Sequence, residues 1–355
     1  MLWVNSYWHC QPIAHSPPPP LIRQSNWVVT KKPISQTRIP SLWMINDSDD
    51  TDCTTSSEVP ITLPSHVNLI TSPSNPFVKH CLKLRQSSSY RRSHASALVV
   101  GSTPIREISD LEKSKHERHI RMDYIFLLDK AEVPEWIESL SVRIVNVSSM
   151  VMRKLSGVQS TESIEAIALM RIPSTFHHLN DNLQEPDCEM WFPSARRMLV
   201  LDGIQDPGNL GTLVRSAVAF GWDGVFLLPG CCDPFNDKTL RASRGSSFKL
   251  PIVSGDWFHL ESLRKKFRLR MLAGHPQFDE QQKAAVQLSH KLVDSLADEA
   301  LCLVLGSEGS GLSEMSKRVC ELVSIPMEGD FESLNVSVAG GIFMFMLQPK
   351  KQRTA

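Results

Sequence analysis

Leu199–Gly230, LVLDGIQDPGNLGTLVRSAVAFGWDGVFLLPG, decides the fold. Leu199 to Ile204 is a short apolar run of buried-strand type, and Asp206, Pro207 and Gly208 supply the turn chemistry that ends it. Asn209 is placed as the N-cap of a helix whose buried face is Leu210, Leu213, Val214, Ala217 and Val218. Gly221 stands where a left-handed C-cap is wanted, and Val225 to Leu228 is a second buried strand. Strand, helix and strand this close together predict a parallel unit with a right-handed crossover. Ligands of such sheets sit beyond the carboxyl ends of the strands, so the turn at Gln205 to Gly211 is the first place to seek chemistry.

Working outward, Asp237 to Ser243 is a short helix capped by Asn236. Pro251–Val253, Arg270–Ala273, Leu301–Leu305 and Leu322–Ile325 are further strands, with helices over Trp257–Phe267 and Gln281–Leu296. Asn335–Leu347 is the last helix, stopped by Pro349. Alternation of this kind predicts a mostly parallel sheet covered on both faces. Upstream, Ala97–Val100, Tyr124–Leu128, Val142–Val147 and Ala166–Met170 are strand-like, and charged segments such as Leu111–Arg121 read as helices. They make a smaller α/β domain over residues 67–173, followed by an interdomain linker over 174–197, a second domain over 198–348 and a tail over 349–355.

The 355 residues carry 38 lysines and arginines against 38 aspartates and glutamates, so a nucleic-acid or membrane role cannot be argued from net charge. Any basic site must be local. One candidate is the helix-like Phe77–Arg85 with Lys79, His80, Lys83 and Arg85, continued by Tyr90, Arg91, Arg92 and His94. It reads equally as a phosphate-tracking surface or a solvated helix face. Eight cysteines without a CxxC pair indicate neither a zinc site nor a disulfide framework, and reduced thiols in an intracellular compartment are expected. No apolar run reaches membrane-spanning length. Residues 1–46 hold no acid, and Arg23, Lys31, Lys32 and Arg38 lie among hydroxyl residues and Pro17–Pro20. That composition is expected of an organelle transit peptide, chloroplast or mitochondrial, with a disordered tail of no address as the alternative. Asp47–Glu58 reads as a linker, so that residues 1–66 form a disordered tail of transit peptide and linker.

Three polar loops follow strands of the larger sheet: Gln205–Gly211, Gly306–Gly311 (GSEGSG) and Pro326–Asn335 (PMEGDFESLN). Each alone is common in α/β domains. None has the GxGxxG spacing of a dinucleotide site or the lysine of a P-loop, which disfavours both chemistries. Taken in order, GNLGTLVRSAVAFG, LVLGSEGSGL and IPMEGDFESLNVSVAGG resemble the three motifs of the SpoU family of S-adenosylmethionine-dependent RNA ribose 2′-O-methyltransferases, within the SPOUT superfamily. The resemblance covers about Met198–Leu347. The earlier SPSNPFVKHCLKLRQ, with the α/β unit after it, is similar to the ribosomal-protein-like RNA-binding domain that precedes the catalytic domain in many members.

The resemblance implies a sheet threaded by a trefoil knot, S-adenosyl-L-methionine as cofactor, RNA as substrate and a homodimer. Ribosomal RNA is the expected substrate, with transfer RNA as the alternative. It places Asn209 and Arg215 in the first motif, Glu308 in the second, and Ser333 and Asn335 in the third, all as catalytic residues. Backbone around Gly306, Ile325 and Leu334 is where the family holds the cofactor. Plainer readings stand beside these. Asn209, Ser333 and Asn335 are all helix-capping types, Glu308 could fix a helix N-terminus, and an exposed arginine is often only a salt-bridge partner. The functional alternative is a non-catalytic RNA-binding or ribosome-assembly factor on the same fold. Ala339, Gly340 and Gly341 put two adjacent glycines in the last helix, at about 1 kcal/mol each relative to alanine.

Overall fold

In the computed structural model, residues 62–114, 120–158, 164–179, 187–276, 285–329 and 333–349 are described, and the acid-free leader lies outside them. The first half contains β1 (Leu69–Ile70), α1 (Pro76–Gln86), α2 (Ser88–His94), β2 (Ser96–Val100), α3 (Ser102–Ser114), β3 (Met122–Leu128), α4 (Glu135–Glu138), β4 (Arg143–Val147), α5 (Ser149–Ser156) and β5 (Ile167–Arg171). The second half opens with β6 (Phe176–His178), α6 (Cys188–Trp191), β7 (Arg197–Asp202), α7 (Pro207–Ala219), β8 (Gly224–Leu227), α8 (Asp237–Ala242), β9 (Ile252–Ser254) and α9 (Trp257–Phe267). It continues through β10 (Arg270–Gly274), β11 (Val286–Gln287), α10 (His290–Ser295), β12 (Leu301–Gly306), α11 (Glu314–Val319), β13 (Glu321–Ser324) and α12 (Val336–Met346).

Among the described residues the strands form two sheets. The smaller has the order β1-β4-β3-β5-β2 and is mixed: β1, β3 and β4 run parallel, while β5 is antiparallel to β3 and β2. The larger has the order β11-β13-β10-β12-β7-β8-β9-β6, and every pairing in it is parallel. Both faces are covered, as the alternation of strands and helices requires. Leu199 and Leu201 of β7 pack with Leu210, Leu213 and Val214 of α7 and Phe343 and Met344 of α12. Met198 and Val200, one residue out of phase, pack on the other face with Trp191 of α6 and Leu260 and Leu263 of α9. Each such side chain contributes about 1.5–3 kcal/mol by leaving water.

Four details differ from the sequence reading. Residues 174–197 are not simply a linker: Phe176–His178 adds the edge strand next to β9, Trp191 and Phe192 are buried under the sheet, and β7 already begins at Arg197. Few aliphatics occur there, so one aromatic and two histidines gave no apolar run to detect. The segment 281–296 is not one helix; its described part holds the short β11 and α10. The helix expected over 111–121 is α3, which starts nine residues earlier and is described only to Ser114.

The fourth difference concerns α7. Its N-cap is Asp206, whose carboxylate accepts from Asn209 N at 2.8 Å, and Pro207 occupies the first turn. Proline favours the first helical position, so the helix begins three residues earlier than an Asn209 cap would place it, and the Asn209 side chain is released for other work. Asp206→Ala is expected to cost about 1 kcal/mol of stability, read from the urea midpoint. At the far end Gly221 adopts φ +69°, as its position predicts.

The last helix tolerates its paired glycines for two different reasons. A Cβ on Gly340 would lie 2.3 Å from Leu213 Cδ2, so this glycine lets α12 lie close against α7, whereas one on Gly341 would meet nothing within 4 Å. The buried Arg197 fastens the helix end by donating to Leu347 O at 2.8 Å and to Glu299 O at 2.5 Å. A third cluster joins the two sheets: Phe235, Leu240 and Phe248 pack with Val99, Ile105 and Ile108. Arg91, expected on an exposed basic face, whether phosphate-tracking or merely solvated, is instead buried, paired with Asp233 at 2.6 Å and donating to Leu84 O and Arg85 O.

Candidate functional site

Strand order explains why three loops far apart in sequence meet. β7 lies between β8, which follows it in the chain, and β12, which arrives about 100 residues later, so the loops after β7 and β12 leave the sheet side by side. From β13, beyond β10, the chain returns across the same edge into α12, which packs on α7 together with Leu305. The third loop is thereby carried back to the other two.

A cavity of about 530 Å³ opens where they meet, within the roughly 300–1,000 Å³ usual for small-molecule sites. Gly306, Ile325 and Leu334 line it, as do Glu308, Ser333 and Asn335. Its wall is apolar at Leu305, Phe343 and Ala339, and backbone of the 306–311 loop forms one side. That loop closes on itself through Ser307 N to Gly311 O at 3.0 Å and Gly311 N to Ser307 O at 2.9 Å. Asp202, buried at the end of β7, holds the far side of the loop by accepting from Ser313 N at 2.9 Å and from Ser316 Oγ.

One hydrogen-bonded chain ties the three loops together. Asn209 Nδ2 donates to Glu308 Oε1, and Asn335 Nδ2 donates to Asn209 Oδ1 at 3.2 Å. Asn335 Oδ1 in turn caps α12, accepting from Ser337 N at 2.9 Å and Ser337 Oγ at 2.6 Å. The capping expectation therefore holds for Asn335 and fails for Asn209, whose amide serves as the bridge. Glu308 is exposed at the rim and accepts this bond from an uncharged partner.

Arg215 stands apart from that set. It is exposed on α7, does not line the cavity, and has no hydrogen-bond or ion-pair partner among the described residues. It lies six residues beyond Asn209, about 9 Å along the axis at 1.5 Å per residue. Helical Cα–Cβ bonds tilt toward the N-terminus, and Thr212 and Gly208 continue the Arg215 face of α7 toward the loops. His275, Lys317 and Met327 also line the cavity and escaped the sequence reading. The one available signal was the position of His275, directly beyond the end of β10. The adjacent Cys231 and Cys232 sit behind the first loop, and burial raises their thiols to about 12 and about 11, so both are protonated near neutrality.

Comparison with known proteins bears on the same region. The model of the SpoU rRNA Methylase family matches residues 196–345, which contain all three loops. An uncharacterized tRNA/rRNA methyltransferase of Synechocystis is 30% identical over 287 residues, spanning 80% of this chain and 94% of that protein. The 23S rRNA (guanosine(2553)-2′-O)-methyltransferase RlmP of Bacillus subtilis is 35% identical over 156 residues, and the match spans 44% of this chain and 59% of that relative. Among solved structures, an AdoMet-bound rRNA methyltransferase from Sinorhizobium meliloti shares the fold with a TM-score of 0.61 at 23% identity, over 79% of this chain and 97% of that one. The similarity to the Synechocystis protein runs through both sheets, and the family pattern falls on the strands and loops that build the cavity: this chain belongs to the SpoU rRNA Methylase family.

Proposed function

We propose that this protein is an S-adenosylmethionine-dependent RNA methyltransferase that modifies a ribose 2′-hydroxyl, with ribosomal RNA as its substrate. The observation that carries this is the Glu308–Asn209–Asn335 chain, which locks three separate loops around one cavity of cofactor size. The residues present fit the cofactor: an apolar wall at Leu305, Ile325 and Phe343 suits an aromatic base, and the exposed backbone of the glycine loop offers hydrogen bonds. When bound, S-adenosylmethionine supplies an electrophilic methyl group on a sulfonium. Gly306, Ile325 and Leu334 hold it, while Ser333, Asn335 and Asn209 orient the ribose at the mouth.

A ribose hydroxyl is a weak acid, so positioning and stabilisation of negative charge on its oxygen carry the rate. A guanidinium is not deprotonated in proteins, which makes Arg215 a poor base. It holds the adjacent phosphate and stabilises charge on the hydroxyl oxygen, whose proton passes to phosphate or water.

The expected result is a binding heat with S-adenosylmethionine and transfer of labelled methyl to a 2′-oxygen of ribosomal RNA. No heat at millimolar cofactor would favour the non-catalytic RNA-binding factor. Methyl on transfer RNA alone would correct the substrate. Because Asn209 and Asn335 share one bond, Asn209→Ala and Asn335→Ala are expected to be non-additive on cofactor affinity by about 0.5–3 kcal/mol, measured as a double-mutant cycle.

Three further readings go with this one. The trefoil knot is supported by the return of the chain from β13 across the sheet edge to α7, and slow refolding against an unthreaded circular permutant tests it. A homodimer is supported by the apolar outer face of α12, where Val338 is 52% and Phe345 55% exposed, beside Phe220 of α7. Val338→Glu with Phe345→Glu is expected to give monomers in sedimentation. Import into an organelle rests on the acid-free residues 1–46, and a fluorescent fusion to that leader tests it.

A further inference from the structure

The smaller sheet carries a second cavity, of about 200 Å³, built from elements that take no part in the first. It lies where β3 and β4 begin and β5 ends, beneath α1 and α2. Arg121, directly before β3, Arg143, at the start of β4, and Arg171, at the end of β5, line it together with His80 of α1 and His94 of α2. One carboxylate is present. Asp123 sits 2.9 Å from Arg121 Nε and 2.7 Å from Arg171 Nε. Arg143 is held by neutral groups instead, donating to the carbonyls of Leu63 at 2.6 Å, Pro64 at 2.5 Å and Val67 at 2.8 Å. Its charge is therefore fixed in place without being cancelled.

Three guanidiniums against one carboxylate, in a chain whose formal charge is zero, make this a local concentration of positive charge. The two histidines offer a hydrogen-bonding surface. His80 Nδ1 bonds Tyr90 Oη at 2.9 Å, the His80 and His94 rings lie 5.1 Å apart, and Tyr90 lies 4.0 Å from His94. Burial, then the positive charge of His94, Arg171 and Lys83, lowers His80 to about 4. Burial resists charge of either sign, so it is the smaller, coulombic part of this shift, from His94, Arg171 and Lys83, that favours an anion beside the three guanidiniums. The sequence grouped His80, Tyr90 and His94 with Arg91 and Arg92. The fold buries Arg91 against Asp233 and brings Arg121, Arg143 and Arg171 in its place.

We propose that this cavity is a phosphate site that grips one phosphodiester of the RNA strand, positioning the substrate while the cavity among the three loops carries the chemistry. The proposal rests on the RNA-methyltransferase reading for its source of phosphate, and on the cluster itself for the site.

The test follows the histidine ring signals of the full-length protein by NMR, first with inorganic phosphate and then with a short oligouridylate. Both are expected to raise the His80 titration midpoint, since a bound anion stabilises the protonated ring. Arg121 is 73% exposed, so Arg121→Gln leaves the fold intact; combined with Arg171→Gln it is expected to weaken RNA binding about 10-fold and to lower the salt slope by about one. S-adenosylmethionine affinity is expected to stay unchanged in both variants. Signals unmoved by phosphate would overturn the site. A response to phosphate without one to oligouridylate, or unaltered RNA affinity in the variants, would overturn the RNA assignment. Loss of methyl transfer in a wild-type protein that still shows both responses would strike the enzymatic reading and leave this site standing.

Discussion

Replacing Arg215 by alanine is expected to lower methyl transfer to RNA by about 10³-fold, roughly 4 kcal/mol in the barrier, with cofactor affinity and stability nearly unchanged. The separation of effects follows from position. Arg215 is exposed on α7 and outside the cavity lining, so its loss empties no packed space and removes no wall of the cofactor site. Surface substitutions of that kind usually shift stability by less than about 0.5 kcal/mol. What is lost is a planar, permanently charged group able to take two phosphate oxygens at once. Arg215→Lys keeps the charge and loses the fork, so a turnover about 10–100-fold below wild type is expected, with weaker RNA binding. Single-turnover rates at saturating RNA, alongside calorimetry for the cofactor, check both. Near-full turnover and unchanged RNA affinity in the lysine variant would show that bidentate phosphate holding is wrong.

Arg215 also shows where sequence reading was sufficient and where it stopped. Its place off the apolar stripe of α7 could be counted from Leu210, Leu213, Val214 and Ala217, because helical periodicity is local and each apolar position answers to the same buried face. The strands of the larger sheet were legible for the same reason: β7, β8 and β12 are short apolar runs bounded by turns. Capping was legible only in part. Asp206 and Asn209 are both good cap types, and Pro207 between them decides for Asp206. Contacts set by partners far along the chain were not legible at all. Arg91 looked like a surface cation until Asp233, 142 residues away, buried it. The edge strand at Phe176–His178 is recruited by β9, not by its own apolar content. The meeting of the three loops came from resemblance, since only the strand order β12-β7-β8 supplies a physical reason for it.

The glycine that closes the second loop is expected to be the least replaceable residue of the cavity. A Cβ on Gly306 would lie 2.3 Å from Gly311 C, 2.4 Å from Gly311 O and 2.4 Å from Leu312 N, all backbone atoms that cannot turn aside as a side chain could. Gly306→Ala must therefore open the loop, breaking the paired bonds between Ser307 and Gly311 and shifting the start of α11 that Asp202 fixes. The cofactor wall moves with it. A fall of about 100-fold or more in S-adenosylmethionine affinity is expected, with about 1–3 kcal/mol lost from stability by overpacking. Gly309, in the same loop, is the control: a Cβ there meets nothing within 4 Å, so Gly309→Ala is expected to melt within a few degrees of wild type. Calorimetry and thermal melting on the pair separate a closed loop from a merely glycine-rich one. Wild-type affinity in Gly306→Ala would mean that the cofactor does not depend on the close approach of Gly306 to Gly311, and the cavity between the three loops would lose its claim to be the cofactor site.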